Sequence, residues 1–220
     1  MSIIEKMIID RDFSYLSPYF YNNKWALRCE LGIGNKEEFA VNAKKRAAEI
    51  FNIIFPDGAD AVIFNYWIND FSEVVKEYVE DYDDYMLQKW LEWFIEQETD
   101  QLRLLFEYQS KYRHAVLKSL ETYYDEDDMP IRKRIVCYSD GKGFDSDGII
   151  ERQIDENFDN DMSFVSFENE CILSIYDSRG CDIVFATQEK MKEFYHTLEP
   201  YFLDYDRAEM ERRYKENINE

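Results

Sequence analysis

The chain has 220 residues and a formal net charge of −21, with 47 acidic side chains against 26 basic ones. That balance disfavours a free-standing nucleic-acid binder, which needs a basic surface, and disfavours adsorption to an anionic membrane. A hydrophobic content of 45% and an aromatic content of 17% are too high for a disordered chain and sufficient for one sizeable core.

From Met1 to Asp12 the charged residues Glu5, Lys6, Asp10 and Arg11 interrupt the apolar ones, so no signal-peptide core forms. No apolar run approaches the roughly 18 residues of a membrane helix. Trp25, Leu27, Cys29, Leu31 and Ile33 alternate with Ala26, Arg28, Glu30 and Gly32, the period of a half-buried strand. Asn35 is placed to cap the next helix, with Glu38 as its reciprocal partner. That helix carries Phe39, Ala43, Ala47, Ile50, Phe51 and Ile54 on one face and stops at Pro56-Asp57-Gly58. Residues 61–68 are apolar on both sides, as in a central strand. This order of strand, helix and strand is compatible with a right-handed crossover between parallel strands.

Residues 71–79 read as a helix carrying Val74, Val75 and Tyr78, and 86–96 as another carrying Leu87, Trp90, Leu91, Phe94 and Ile95. Leu102, Leu104, Phe106 and Tyr108 alternate like a strand, and 112–124 return to helix. From Ile131 onward strand signals dominate, at 135–138, 149–154, 162–167, 171–176 and 181–185, with tight turns at Glu168-Asn169-Glu170 and Ser178-Arg179-Gly180. A terminal helix runs over 189–198, with Pro200 just past its end. The expected fold is a single α+β domain over 1–220: an N-terminal strand–helix–strand unit and a mainly antiparallel C-terminal sheet with a terminal helix. In that sheet the strand at 171–176 should be central, because its neighbours in sequence are each one turn away.

The cysteines Cys29, Cys137, Cys171 and Cys181 form no Cys-x-x-Cys pair and read as reduced, buried thiols of a cytoplasmic protein. His114, in the expected helix, and His196 are the only histidines, and no nucleophile elbow, phosphate loop or dinucleotide fingerprint accompanies them. The run 155–161 resembles the start of a calcium loop. Asn160 replaces its turn glycine and Ser166 its bidentate glutamate, so an acidic surface loop is the better reading. No metal or cofactor is expected.

Charge is uneven. Between Asp70 and Asp100, 11 acids face only Lys76 and Lys89, and between Glu121 and Asp161, 13 acids face five bases. These segments hold 17 of the 21 excess negative charges. Solvated faces are one account of them. The other is a surface for a basic partner, centred on Asp81, Asp83 and Asp84 and on Asp125, Glu126 and Asp127, whose interleaved tyrosines supply anchors.

One cluster remains. The strand at 171–176 runs into Tyr176-Asp177-Ser178-Arg179-Gly180-Cys181-Asp182, and Asp204-Tyr205-Asp206-Arg207 follows the last helix. Asp177, Arg179, Asp182, Asp204, Asp206 and Arg207 form one candidate network if Asp204 folds back toward the turn. On a structural reading Asp177 and Asp182 pair with Arg179 to lock the turn, while Asp206 and Arg207 tie down the C-terminal segment. On a functional reading the cluster receives a ligand or partner.

These residues resemble a small bacterial family, domain-of-unknown-function family 3885, with its C-terminal signature over about 171–207. Ser178 stands where that family usually has Asp. The resemblance extends to Phe20-Tyr21-Asn22 with Arg28-Cys29-Glu30-Leu31-Gly32, and to Arg46-Ala47 with Ile54-Phe55-Pro56. It implies a fold and a bacterial host, but no chemistry, because the family has no established activity.

The functional expectation is a cytoplasmic, non-catalytic interaction protein that receives a basic protein, most concretely an immunity or inhibitor protein against a cationic toxin. A DNA mimic is a narrower variant. The alternatives are a divalent-metal hydrolase using Asp177, Asp182, Asp204 and Asp206 as oxygen ligands, and a housekeeping domain with no dedicated cationic partner.

Overall fold

A computed structural model of the chain describes residues 19–70, 89, 92, 114–123, 131–140, 144–155 and 162–216. The elements in chain order are α1 (Tyr19–Asn22), β1 (Ala26–Glu30), α2 (Phe39–Ile54), β2 (Ala61–Asp70), β3 (His114–Tyr123), β4 (Ile131–Asp140), α3 (Ser146–Asp155), β5 (Met162–Ser166), β6 (Cys171–Asp177), β7 (Gly180–Phe185), α4 (Gln188–Leu198) and α5 (Arg207–Lys215). This is the expected α+β class, with a C-terminal antiparallel sheet followed by helices. Backbone contacts group the chain into two compact units, residues 1–63 with 140–220, and residues 64–139.

In the first unit the strands run β1-β7-β6-β5, with the start of β2 beyond β5. Each of the pairs β1–β7, β7–β6 and β6–β5 is antiparallel. The strand Cys171–Asp177 is flanked on both sides, as expected of the centre. The N-terminal strand, helix and strand are β1, α2 and the start of β2, and β1 does not adjoin β2, because β7, β6 and β5 lie between them.

Strand register sorts the side chains onto two faces. Leu27, Ile183, Leu173 and Phe164 form one transverse row. Phe51 and Phe55 of α2 pack on Phe164, at ring separations of 4.9 Å and 6.2 Å, and Phe194 of α4 stacks on Phe185 at 5.6 Å. The helix α2 forms there because Ala43, Ala47, Ile50, Phe51 and Ile54 fall on one buried face. The expected reciprocal contacts of Asn35 and Glu38 form in the turn that leads into α2: Glu37 and Glu38 donate backbone N–H to Asn35 Oδ1 at 3.0 Å and 3.1 Å, and Asn35 N–H reaches Glu38 Oε2 at 3.5 Å. Past its end Gly58 takes φ +87°, a conformation that glycine adopts without a Cβ penalty.

The other face carries a polar row, Arg28, Asp182, Ser174 and Ser163, taken from four successive strands. α1 lies against β1 and β7. The outer edge of β1 is closed by the chain after α4: Leu203 N–H donates to Arg28 O at 3.1 Å, and Phe202 bridges Cys29. Cys29, Cys171 and Cys181 are buried free thiols.

Three further expectations change. Residues 149–154 are not a strand but part of α3, because Ile149, Ile150, Gln153 and Ile154 recur at the helical period and all are buried. Asp145 starts that helix by accepting the Gly148 N–H at 3.0 Å. Of the expected helix at 112–124, the described residues 114–123 are a strand: β3 pairs antiparallel with β4, with a register shift between Leu117 and Glu121. That irregularity breaks the two-residue period and leaves Val116, Leu117 and Leu120 at a spacing that imitates a helix. His114 therefore begins a strand. Thirdly, α5 follows the helix taken as terminal. The expected helices at 71–79 and 86–96 and the strand at 102–108 lie outside the described residues, apart from Lys89 and Glu92, which are helical.

Candidate functional site

The polar row becomes a site because three segments converge on Arg28. β1 points this side chain away from α2, beneath the first turn of chain before the sheet. Arg28 Nε donates to Asp182 Oδ1 at 2.7 Å and Nη2 to Asp182 Oδ2 at 2.9 Å, a two-pronged fork between adjacent strands. Asp182 Oδ2 also accepts the backbone N–H of Phe20 at 3.0 Å, so this carboxylate holds the short helix α1 in place. Arg28 Nη1 lies 3.5 Å from Asp206 Oδ2, and the Tyr21 hydroxyl donates to Asp206 Oδ1 at 3.2 Å.

Aromatic rings enclose the guanidinium, with its centre 4.6 Å from the Tyr21 ring, 5.0 Å from Phe20 and 5.6 Å from Tyr176. Asp182 is 1% exposed and Asp206 is also buried. Burial raises the Asp182 carboxyl above its ordinary range, and the Arg28 fork draws it back only in part. Burial also disfavours the Arg28 cation, but the hydrogen bonds and charge of Asp182 outweigh it and hold the guanidinium protonated.

A second arginine, this one buried, completes the anchorage. Arg213 of α5 donates from Nη1 to Phe20 O at 3.1 Å and Asn23 O at 3.0 Å, capping the carbonyl end of α1. Its Nε donates to Glu209 at 2.8 Å, and its guanidinium lies 4.3 Å from the Phe20 ring. Gln188 Nε2 in turn donates to Arg213 O at 2.8 Å and Glu216 O at 2.6 Å, closing the end of α5.

The six expected site residues thus separate. Asp182 and Asp206 meet, through Arg28. Asp177 pairs with Arg179 instead, accepting its backbone N–H at 2.7 Å and its Nε at 2.8 Å within the turn. Asp204 pairs with Arg207 at 3.0 Å on the surface. The expected pairing of Asp182 with Arg179 is corrected, since Arg28 occupies that carboxylate and Arg179 points outward. Asp206 ties down the C-terminal segment; Arg207, the first residue of α5, pairs with Asp204 in the turn just before it and lies 3.9 Å from Glu199. Sequence reasoning missed Arg28 and Arg213 as site residues. Arg28 fell on the alternation expected to face solvent. Its signal was its place in the same family-like run as Phe20 and Tyr21, which the structure brings onto it.

Chemically this is an ion-pair network closed on itself. The Asp182 fork is occupied by Arg28, and the remaining contacts go to backbone or to Tyr21. Among the described residues no group of three or more His, Cys, Asp or Glu side chains is placed to hold a metal ion. His196 lies on the surface between Glu199 (3.4 Å) and the Tyr214 hydroxyl (3.1 Å). The candidate partner residues Asp81, Asp83, Asp84, Asp125, Glu126 and Asp127, and the run 156–161, lie outside the described residues. No described helix is long and apolar enough to cross a membrane.

The model of one protein family, described as a domain of unknown function (DUF3885), matches residues 6–206. No curated protein and no solved structure matches the chain.

Proposed function

Since the chain belongs to the DUF3885 family, whose function is unknown, its role has to be read from its own residues, and we propose that it is a non-catalytic interaction module that receives a basic protein. The observation that carries this reading is the charge of −21, of which 17 lies in two acidic, tyrosine-containing segments. Such a surface raises the encounter rate with a cationic partner, and tyrosines among the acids supply contact area at low entropic cost. The buried Asp182 and Asp206 support it indirectly, because their hydrogen-bonding capacity goes into holding the chain together. The most concrete form of the proposal is a cytoplasmic immunity or inhibitor protein that neutralises a cationic toxin.

The test is a pull-down of candidate basic proteins at low and moderate salt, repeated with Asp81, Asp83, Asp84, Asp125, Glu126 and Asp127 reversed to lysine. A specific basic partner whose association slows with salt and is lost on charge reversal supports the proposal. Retention of no basic protein at low salt, or binding that ignores the reversal, overturns it.

A further inference from the structure

Four large apolar or aromatic side chains are exposed among the described residues: Tyr21, Ile33, Val41 and Tyr205. The two tyrosines flank one carboxylate, since the Tyr21 hydroxyl donates to Asp206 Oδ1 at 3.2 Å and Tyr205 directly precedes Asp206 in the chain. Tyr205 is 85% exposed and contributes little to packing. Tyr21 is 58% exposed but rigidly held: Arg28 lies against its ring, Phe20 meets it edge-to-face at 5.1 Å, and its hydroxyl is held by Asp206. An aromatic face already fixed in place loses little entropy when a partner docks.

The surroundings select the sign of that partner. Asp182 and Asp206 share Arg28, which lies on the Tyr21 ring, and Glu199 and Asp204 share Arg207, two residues on from Tyr205, so acids outnumber bases in the ion pairs next to both tyrosines. The Asp204 side chain is 92% exposed, and its ion pair with Arg207 is of the surface kind that contributes little and exchanges readily. The electron-rich face of a tyrosine attracts a cation, and a neighbouring carboxylate adds directional hydrogen bonds. A phosphate-bearing ligand would meet repulsion here, and so would a second copy of a chain carrying −21.

Resting on the basic-partner reading above, we infer that Tyr21, Tyr205 and Asp204 form a subsite for the lysine or arginine side chains of that partner. Tyr205 supplies the open aromatic face, Tyr21 the fixed one, and Asp204 the hydrogen-bond acceptor.

The probe is an oligoarginine peptide titrated into the full chain at low salt, with oligoglutamate as control. Tyr205→Ala should weaken oligoarginine binding about two- to fivefold, the size of an exposed cation–π contact, while Tyr205→Phe retains it. Asp204→Asn should weaken it independently, with both variants melting like the parent because both side chains are exposed. If oligoarginine binds the parent and both variants equally, the subsite is overturned while the basic-partner reading stands. If oligoarginine does not bind the parent at all, both fall. Binding of oligoglutamate, or self-association that Tyr205→Ala abolishes, also overturns the subsite.

Discussion

Asp182 accepts three hydrogen bonds, two from Arg28 and one from the Phe20 backbone, in surroundings where it is 1% exposed. Asp177, at the other end of the same hairpin turn, pairs with Arg179, whose side chain is 77% exposed. Both are aspartates beside an arginine in one short signature, yet their partners differ in sequence distance and in solvent. The Asp182 pair joins β7 to β1 and fixes α1, so its loss frees several segments. The Asp177 pair closes only its own turn. Adjacency in sequence therefore predicts little about energetic weight, which follows from burial and from what else each carboxylate holds.

The largest effect should come from breaking the buried side of this contrast. Arg28→Ala strands the Asp182 carboxylate without its fork and should cost on the order of 3–5 kcal/mol of unfolding free energy in a denaturant titration. Replacing Arg28 and Asp182 together by Met and Leu should recover part of that, because the fork carboxylate goes with its partner, while the buried Asp206 still loses its cation and the Phe20 N–H its acceptor. A double variant no more stable than Arg28→Ala would show that the cost lies outside the Arg28–Asp182 pair.

Arg213→Ala comes next, at about 2–3 kcal/mol, because it orphans the buried carbonyls of Phe20 and Asn23. Arg213→Lys should not restore it, since a point charge cannot replace a planar fork that meets these carbonyls and Glu209 together. Equal stability of the Lys variant and the parent would refute the capping role.

Gly180→Ala tests the turn by steric means. An added Cβ would stand 2.0 Å from the Tyr176 hydroxyl and 2.7 Å from the backbone oxygen of Cys29. The backbone of β1 cannot yield there without disturbing its pairing, so a loss of about 1–3 kcal/mol is expected. Arg179→Ala, on the exposed side of the comparison, should cost less than about 1 kcal/mol. A cost for Arg179→Ala matching that of Arg28→Ala would erase the distinction between the two pairs.

The legible parts of the fold were those where one physical signal acted alone. The period of α2, the Asn35–Glu38 contacts that lead into it, and the hairpins joining β5, β6 and β7 follow from local spacing and turn chemistry. β3 was misread because its register shift disturbs the period. α3 was misread because a β-branched pair, Ile149 and Ile150, masked a helical repeat. α5 was not recognised because Arg207–Lys215 offers Met210 as its only buried apolar residue and anchors itself instead through Arg213, a residue type expected at the surface. For the site, the signature run named Asp182 and Asp206 but could not name Arg28. Its partnership spans more than a hundred residues and depends on strand order, which no local pattern encodes.

The smallest predicted effect concerns pH. Hydrogen bonds from Arg212 and Arg213 lower Glu209 from its ordinary value of 4.5 to about 2. A carboxyl whose folded value lies below its unfolded one binds fewer protons when folded, so its contribution is complete above about 4.5 and disappears as pH falls toward about 2. Glu209 is partly open to solvent, which screens the pair with the exposed Arg212, so most of the effect should run through the buried Arg213. Glu209→Gln keeps an acceptor for Arg213 but removes the titration. Its stability should therefore fall less steeply than the parent's between pH 4.5 and 2, with little difference in slope above that window. Parallel acid-unfolding curves for the two proteins would mean that Glu209 titrates alike folded and unfolded, and that Arg213 owes its position to the α1 carbonyls alone.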